Sequence, residues 1–217
     1  MTDDASQASD TSDPVGGPEP AGLADTLAFL VEIDRLKLVE RRNFLADGSR
    51  RENTAEHSWH LGVAAAVLAP FAAEPIDLAT AITMALVHDI VEIDAGDTFA
   101  YDEHLNADKA AHASRQPPIA CSPCSPKRWA RSCRALWDSY EAGDTPEARF
   151  VMAVDRMAPM VLNTEEGGTA WREAGITRQR VEGRNRRFID AGVPHLWGLL
   201  AQRLDARVAA GDLQSET

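Results

Sequence analysis

A chain of 217 residues, 44% of them apolar, is long enough to enclose one sizeable core. Its formal net charge of −12 argues against a nucleic-acid polymer as partner, although a local basic pocket, with Arg41, Arg42, Arg50 and Arg51 as one source, can still hold a small anion. No apolar run approaches membrane-spanning length, and three cysteines confined to residues 121–133 do not form the framework of a secreted disulfide scaffold.

The opening MTDDASQASDTSDPVGGPEP is acidic and polar and lacks the basic and apolar parts of a secretory signal, so residues 1–20 read as a disordered tail of a cytoplasmic protein. Leu27, Leu30, Ile33 and Leu36 recur at roughly helical spacing and predict a helix from Leu23 to about Val39. RNFLADGSRREN, with Gly48 near its middle, reads as a loop. Asn53 followed by Glu56 forms the pattern of a capping box, which starts a helix running to about Ala69. Asp77 caps the next helix, whose expected apolar stripe is Ala79, Ile82, Leu86 and Ile90, with helical order failing near Ile93.

A further helix is expected from about Asp102 to Ser114. Four prolines between Pro117 and Pro126 predict an irregular loop over 115–127. Helical pattern returns from Trp129 to about Glu141. Thr145, with Pro146 at the first helical position, caps PEARFVMAVDRMAPMVLN, in which Pro159 is expected to kink or shorten the helix. Helices over Thr177 to about Asp190 and Pro194 to about Ala210 complete an all-α, single-domain reading. The domain is expected over 21–211, with a short tail at 212–217.

His57 and His60 lie three apart on one helix, and His88 and Asp89 stand near the end of an apolar one. Asp155 shares a helical stripe with Val151, Ala158 and Leu162, a costly position for a carboxylate unless a metal ion or an arginine meets it. Imidazole and carboxylate together suit a divalent ion such as Mn²⁺, Co²⁺, Fe²⁺, Ni²⁺ or Zn²⁺. Taken singly, such residues are more often structural, and a bare His-Asp pair says little.

The combination says more. RLKLVERR at 35–42, ENTAEHSWH at 52–60, ALVHDIVEIDAGD at 85–97 and AVDRM at 153–157 resemble, in order and separation, the HD-domain superfamily of metal-dependent phosphohydrolases. The resemblance is to the branch holding the bacterial 5'-deoxynucleotidases and the HD domain-containing protein 2 group, and covers about Asp25 to Ala206. It implies an HD-domain helical bundle and one divalent ion, Mg²⁺ included among the candidates, held by His57, His88, Asp89 and Asp155. It implies that Glu92 positions or activates the attacking water and that Asp97 acts in catalysis and in recognition of the nucleotide sugar. Arg41 is implied near the substrate phosphate. The family often has tryptophan after that arginine; Arg42 stands here, which weakens the transfer of strict 5'-deoxynucleotide specificity. His60 matches no metal position and reads as a packing or supporting group, and Asp94 as a loop acid.

The expected activity is hydrolysis of nucleoside 5'-monophosphates or similar small phosphate esters, with phosphodiester and nucleoside triphosphate hydrolysis as enzymatic alternatives. The non-enzymatic alternative is a nucleotide-binding or scaffold protein that keeps the metal. A homodimer is expected, with Trp129, Trp137, Trp171 or Trp197 as sources of apolar contact. Residues 113–131 depart from the family pattern, through a frame change or a real loop replacement. A separate zinc site of Cys121, Cys124, Cys133 and His112 is disfavoured by its irregular spacing and single CxxC pair.

Overall fold

The computed structural model describes residues 22–97, 101 and 127–215. The expected tail at 1–20, the helix at 102–114, residues 115–126 of the proline-rich loop, and Cys121, Cys124 and His112 lie outside them.

Helix α1 (Leu23–Ile33) passes into a 3₁₀ turn (Asp34–Leu38), so the first helix is shorter than the sequence predicts. The stretch read as a loop is a hairpin instead. Strands β1 (Glu40–Phe44) and β2 (Arg51–Asn53) pair antiparallel, Glu40 opposite Asn53 and Phe44 opposite Arg51, with an irregularity between. Neither ERRNF nor REN shows the apolar alternation that announces a strand. The hairpin is held by its own ladder, by stacking of the Arg51 guanidinium 4.6 Å from the Phe44 ring centre, and by Arg51 reaching Glu173 at 2.7 Å.

Helix α2 (Thr54–Leu68) begins with the predicted capping box: Asn53 accepts from the Glu56 N–H, and the Glu56 carboxylate accepts from the Asn53 N–H. Asp77 caps α3 (Leu78–Val87), accepting from the Ala79 N–H at 3.0 Å. The face α3 buries is not the predicted one. Ala81, Met84 and Ala85 are fully buried, whereas Leu86 is 44% exposed and Ala79 is exposed too. Helical order also ends earlier than expected, with His88 as the C-cap, and resumes in the single turn α4 (Glu92–Ala95).

Helix α5 (Lys127–Ala142) leads into α6 (Pro146–Glu165), capped by Thr145, whose hydroxyl accepts from the Ala148 N–H. Pro159 lies inside α6 without ending it. A short helix α7 (Thr169–Glu173) precedes α8 (Arg178–Gly192) and α9 (Leu196–Ala210). His195, at the N-cap of α9, holds φ 73°, which is why that helix starts after Pro194 and not at it. Leu213 packs into the core and the Gln214 carbonyl accepts from the Arg178 N–H.

Helix α6 is the centre of the bundle and touches α2, α3, α5, α8 and α9. Its Phe150, Val151, Ala153, Val154 and Met160 join Leu61, Met84, Val181, Ile189 and Leu204 in one core. The C-terminus of α8 closes on α6 so tightly that a Cβ on Gly192 would stand 2.3 Å from the Arg149 carbonyl oxygen. A smaller apolar cluster of Phe29, Leu36, Val87, Ile90, Ile93 and Cys133 lies where α1, the turn after α3 and α5 meet. Trp137, Trp171 and Trp197 are buried; Trp59, exposed on α2, is a better candidate for an intermolecular contact than those three. Among the described residues no helix is long and apolar enough to cross a membrane.

Candidate metal centre

Two helices and one turn deliver the imidazoles and carboxylates to one place. His57 lies one turn into α2, His88 and Asp89 in the turn that ends α3, and Asp155 in the middle of α6. His57 Nε2 is 3.0 Å from Asp155 Oδ1, and His88 Nε2 is 3.9 Å from the same oxygen. Asp89 Oδ2 lies 3.2 Å from His88 Nε2 and 3.9 Å from His57 Nε2. Ligands bound to one first-row ion at about 2.0–2.2 Å stand roughly 3–4 Å apart, which these four separations match. His57, His88 and Asp155 offer ligand atoms all within 4.8 Å of one another, a set positioned for a single divalent ion.

The imidazoles are presented in suitable directions. His88 Nδ1 is 3.0 Å from the Ala85 carbonyl, which as acceptor fixes the proton on Nδ1 and turns Nε2 toward the cluster, where that atom is buried without a hydrogen-bond partner. His57 Nδ1 faces Glu52 Oε2 at 3.7 Å. Burial opposes charge on His88, but Asp89 and Asp155 outweigh it, and without an ion its pKa is pushed up to about 9. Burial likewise works against a charged Asp155, yet the His57 hydrogen bond and attraction to the neighbouring imidazoles hold its carboxyl below the usual range.

Two supporting groups escaped the sequence reading. The Tyr140 hydroxyl, from α5, donates to Asp155 Oδ2 at 2.8 Å, and its ring centre is 5.0 Å from that of His88. Burial first, then the nearby carboxylates, push the Tyr140 pKa well up, so it remains a donor. Glu52, on β2, accepts from Asn43 at 2.9 Å and stands 3.5 Å from Arg41 Nε. Glu52 falls inside a quoted motif, but nothing around Tyr140 in the sequence marks it.

Arg41 is carried in by β1, the strand the sequence had concealed. Its Nη1 donates to Asp89 Oδ2 at 3.1 Å and lies 4.0 Å from Asp97 Oδ1. Burial disfavours its charge, but Asp89, Asp97 and Glu92 keep it firmly protonated. Of the other candidate arginines, Arg50 is paired with Glu56 at 2.6 Å and Arg51 with Glu173, both away from the cluster. Glu92 is buried and its Oε2 accepts from the Thr54 hydroxyl at 3.0 Å. It reaches this position from the first turn of α4, and not by the continuous helix that would have set it one turn beyond His88. His60 is half-buried beside Trp59, ring centres 6.5 Å apart, and Asp94 is exposed.

Residues 33–197 match the HD domain family. The chain is similar to the 5'-deoxynucleotidase HDDC2 of Bos taurus, 24% identical over 157 residues, 72% of this chain and 74% of the relative. It is similar also to the Homo sapiens 5'-deoxynucleotidase HDDC2, 25% identical over 146 residues, 67% and 69% of the two chains. A crystal structure of a predicted metal-dependent phosphohydrolase from Magnetospirillum magnetotacticum MS-1 superposes with a TM-score of 0.78 at 40% identity, over 89% of this chain and 99% of that one.

Proposed function

This chain belongs to the HD-domain family, and from that premise we propose that it is a metal-dependent phosphomonoesterase acting on nucleoside 5'-monophosphates or similar small phosphate esters. The observation that carries the reading is the convergence of His57, His88 and Asp155 on one ion-sized space, with the Asp89 carboxylate against both imidazoles. The relatives named as 5'-deoxynucleotidases support the substrate class.

His57, His88, Asp89 and Asp155 would hold the ion, which supplies Lewis acidity toward a phosphoryl oxygen and a lowered pKa for water. Glu92 takes a proton from the attacking water as the new P–O bond forms, and that proton passes to the ester oxygen as its bond to phosphorus breaks. Thr54 fixes the Glu92 carboxylate through Oε2. Arg41 exchanges part of its contact with Asp89 and Asp97 for the substrate phosphate, whose charge a planar guanidinium can meet with two parallel bonds. Asp97, whose Oδ1 is 4.0 Å from Arg41 Nη1, accepts a sugar hydroxyl in this reading. The reading includes a homodimer, because Leu27, Leu30 and Val31 on α1 and Trp59 and Val67 on α2 are exposed. Light scattering after gel filtration tests that part.

The enzymatic part is tested by comparing wild type, Asp155→Ala and Glu92→Gln for metal content, thermal unfolding and phosphate release from a panel of small esters. Asp155→Ala is expected to lose metal and turnover together. Glu92→Gln is expected to keep most of the metal and lose about 10²-fold or more in turnover. Wild-type turnover in Glu92→Gln removes that residue from proton transfer. No phosphate release by metal-loaded wild type favours a nucleotide-binding or scaffold role.

A further inference from the structure

Helix α8 carries two sets of arginines with opposite surroundings. Along one face, Arg178 and Arg186 bracket Glu182, each at 2.7 Å, and reach on to Asp205 and Asp190. Along another, Arg180, Arg184 and Arg187 follow one another at i, i+4 and i+7 and line a cavity of about 350 Å³ together with Arg156 of α6. Among the described residues, no carboxylate lies within 4.0 Å of Arg156, Arg180 or Arg187, and Arg156 Nε is buried without a hydrogen-bond partner. Two aromatic rings hold the guanidinium groups in place. Phe188 has the Arg156 and Arg187 Cζ atoms 4.8 and 4.4 Å from its centre, and Tyr101 has those of Arg180 and Arg184 at 5.9 and 5.6 Å. Gly183 also lines the cavity, and an added Cβ there would meet no atom within 4 Å.

Arg156, Arg180 and Arg187 place like charges around one small cavity, where they repel one another, on a chain whose net charge is −12. We infer that this cavity is a second ligand site, one that binds the diphosphate unit of a small molecule, either free pyrophosphate or the phosphate chain of a nucleoside polyphosphate. None of its lining residues belongs to the metal cluster. Its volume is in the range of small-molecule pockets, roughly 300–1,000 Å³. Planar guanidinium groups match pairs of phosphoryl oxygens. The three positive charges of Arg156, Arg180 and Arg187 exceed those of a single dianionic phosphate, while two linked phosphoryl groups can use all three. Because guanidinium groups already stack on both rings, the rings act as spacers and give a base no open face. Recognition therefore lies in the phosphate chain, and pyrophosphate is expected to bind about as well as ATP.

The test is calorimetric titration of the full-length protein, stripped of metal and held in chelator-free buffer, with pyrophosphate, ATP and orthophosphate. Pyrophosphate and ATP are expected to bind with similar affinity, and orthophosphate at least tenfold more weakly. Arg180 and Arg187 are exposed, so Arg180→Glu/Arg187→Glu retains the fold, as thermal unfolding will verify, and is expected to weaken pyrophosphate at least about tenfold through loss of charged hydrogen bonds. Arg41→Ala, at the other site, is expected to leave pyrophosphate affinity unchanged. Absence of pyrophosphate binding, equal affinity for orthophosphate, or equal binding by wild type and the double variant overturns the assignment. So does a loss confined to Arg41→Ala. Because the titration is made without metal or turnover, its failure leaves the phosphomonoesterase reading standing, and failure of that reading leaves this one standing.

Discussion

Replacing Tyr140 with phenylalanine removes one oxygen and keeps the ring that packs beside His88. The lost bond is the 2.8 Å contact from the hydroxyl to Asp155 Oδ2. A hydrogen bond to a charged acceptor is worth about 1.5–3 kcal/mol, and at this chain length each kcal/mol moves Tm by about 2–4 °C, so metal-free Tyr140→Phe should melt roughly 3–12 °C lower. Asp155 keeps His57 on Oδ1, so the fold survives the loss. The same bond exists before and after an ion arrives and largely cancels from the binding energy. What does not cancel is the orientation of the carboxylate, and outer partners of this kind contribute about 10–100-fold to metal affinity. Calorimetric titration with Mn²⁺ and the visible spectrum of the Co²⁺ form measure the second effect, and unfolding of stripped protein the first. If the melting temperature of the stripped variant and its Mn²⁺ affinity both equal those of wild type, Tyr140 does not position Asp155.

Gly192→Ala should cost about 1–3 kcal/mol or more, read as a lower Tm, because the new methyl would overlap the Arg149 carbonyl and stand 2.6 Å from the Ala153 Cβ. Arg41→Ala should raise KM for a phosphate ester about tenfold or more and, because it strips Glu52 and Asp89 of a buried guanidinium partner, should lower the melting temperature as well. Metal binding should strengthen as pH rises. The pKa of His88 is raised from 6.5 to about 9 in the metal-free fold, so its protonated form stabilises that fold fully below about 6.5, and the contribution is lost as pH rises through 9. The ion competes with that proton, so affinity should climb across this window with proton release, measurable by titration in buffers of different ionisation enthalpy.

Local chemistry was legible in the sequence wherever a residue acts on its own backbone neighbours. Asn53 with Glu56, Asp77, and Thr145 with Pro146 cap the helices they were expected to cap. The buried face of α3 was not legible, because LATAITMALV offers apolar residues on more than one side, and only the position of α2 and α6 selects Ala81, Met84 and Ala85 over Ala79 and Leu86. The hairpin was hidden for a different reason: its registered pairs, Glu40 with Asn53 and Phe44 with Arg51, set a charged residue opposite a neutral one, and part of its support comes from a group far away in the chain, Glu173. Four carboxylate and imidazole positions were identified by family resemblance, and the structure brings all four side chains together. Tyr140 and Glu52 acquire their meaning only once α5 and β2, which carry them, pack against α6 and α2.

The six residues from Glu52 to His57 combine two tasks in alternation. Glu52 faces His57, Thr54 holds Glu92, and His57 meets Asp155, while Asn53 and Glu56 between them secure the first turn of α2. A saturation mutagenesis screen scored on activity would mark all five as indispensable, although the capping pair has no role toward the ion or the ester. Scoring the same library for abundance as well would separate them: substitutions at Asn53 and Glu56 should lower protein level and activity in proportion, and stabilising changes elsewhere should rescue both. Substitutions at His57 should abolish activity at normal abundance, beyond the reach of any such suppressor.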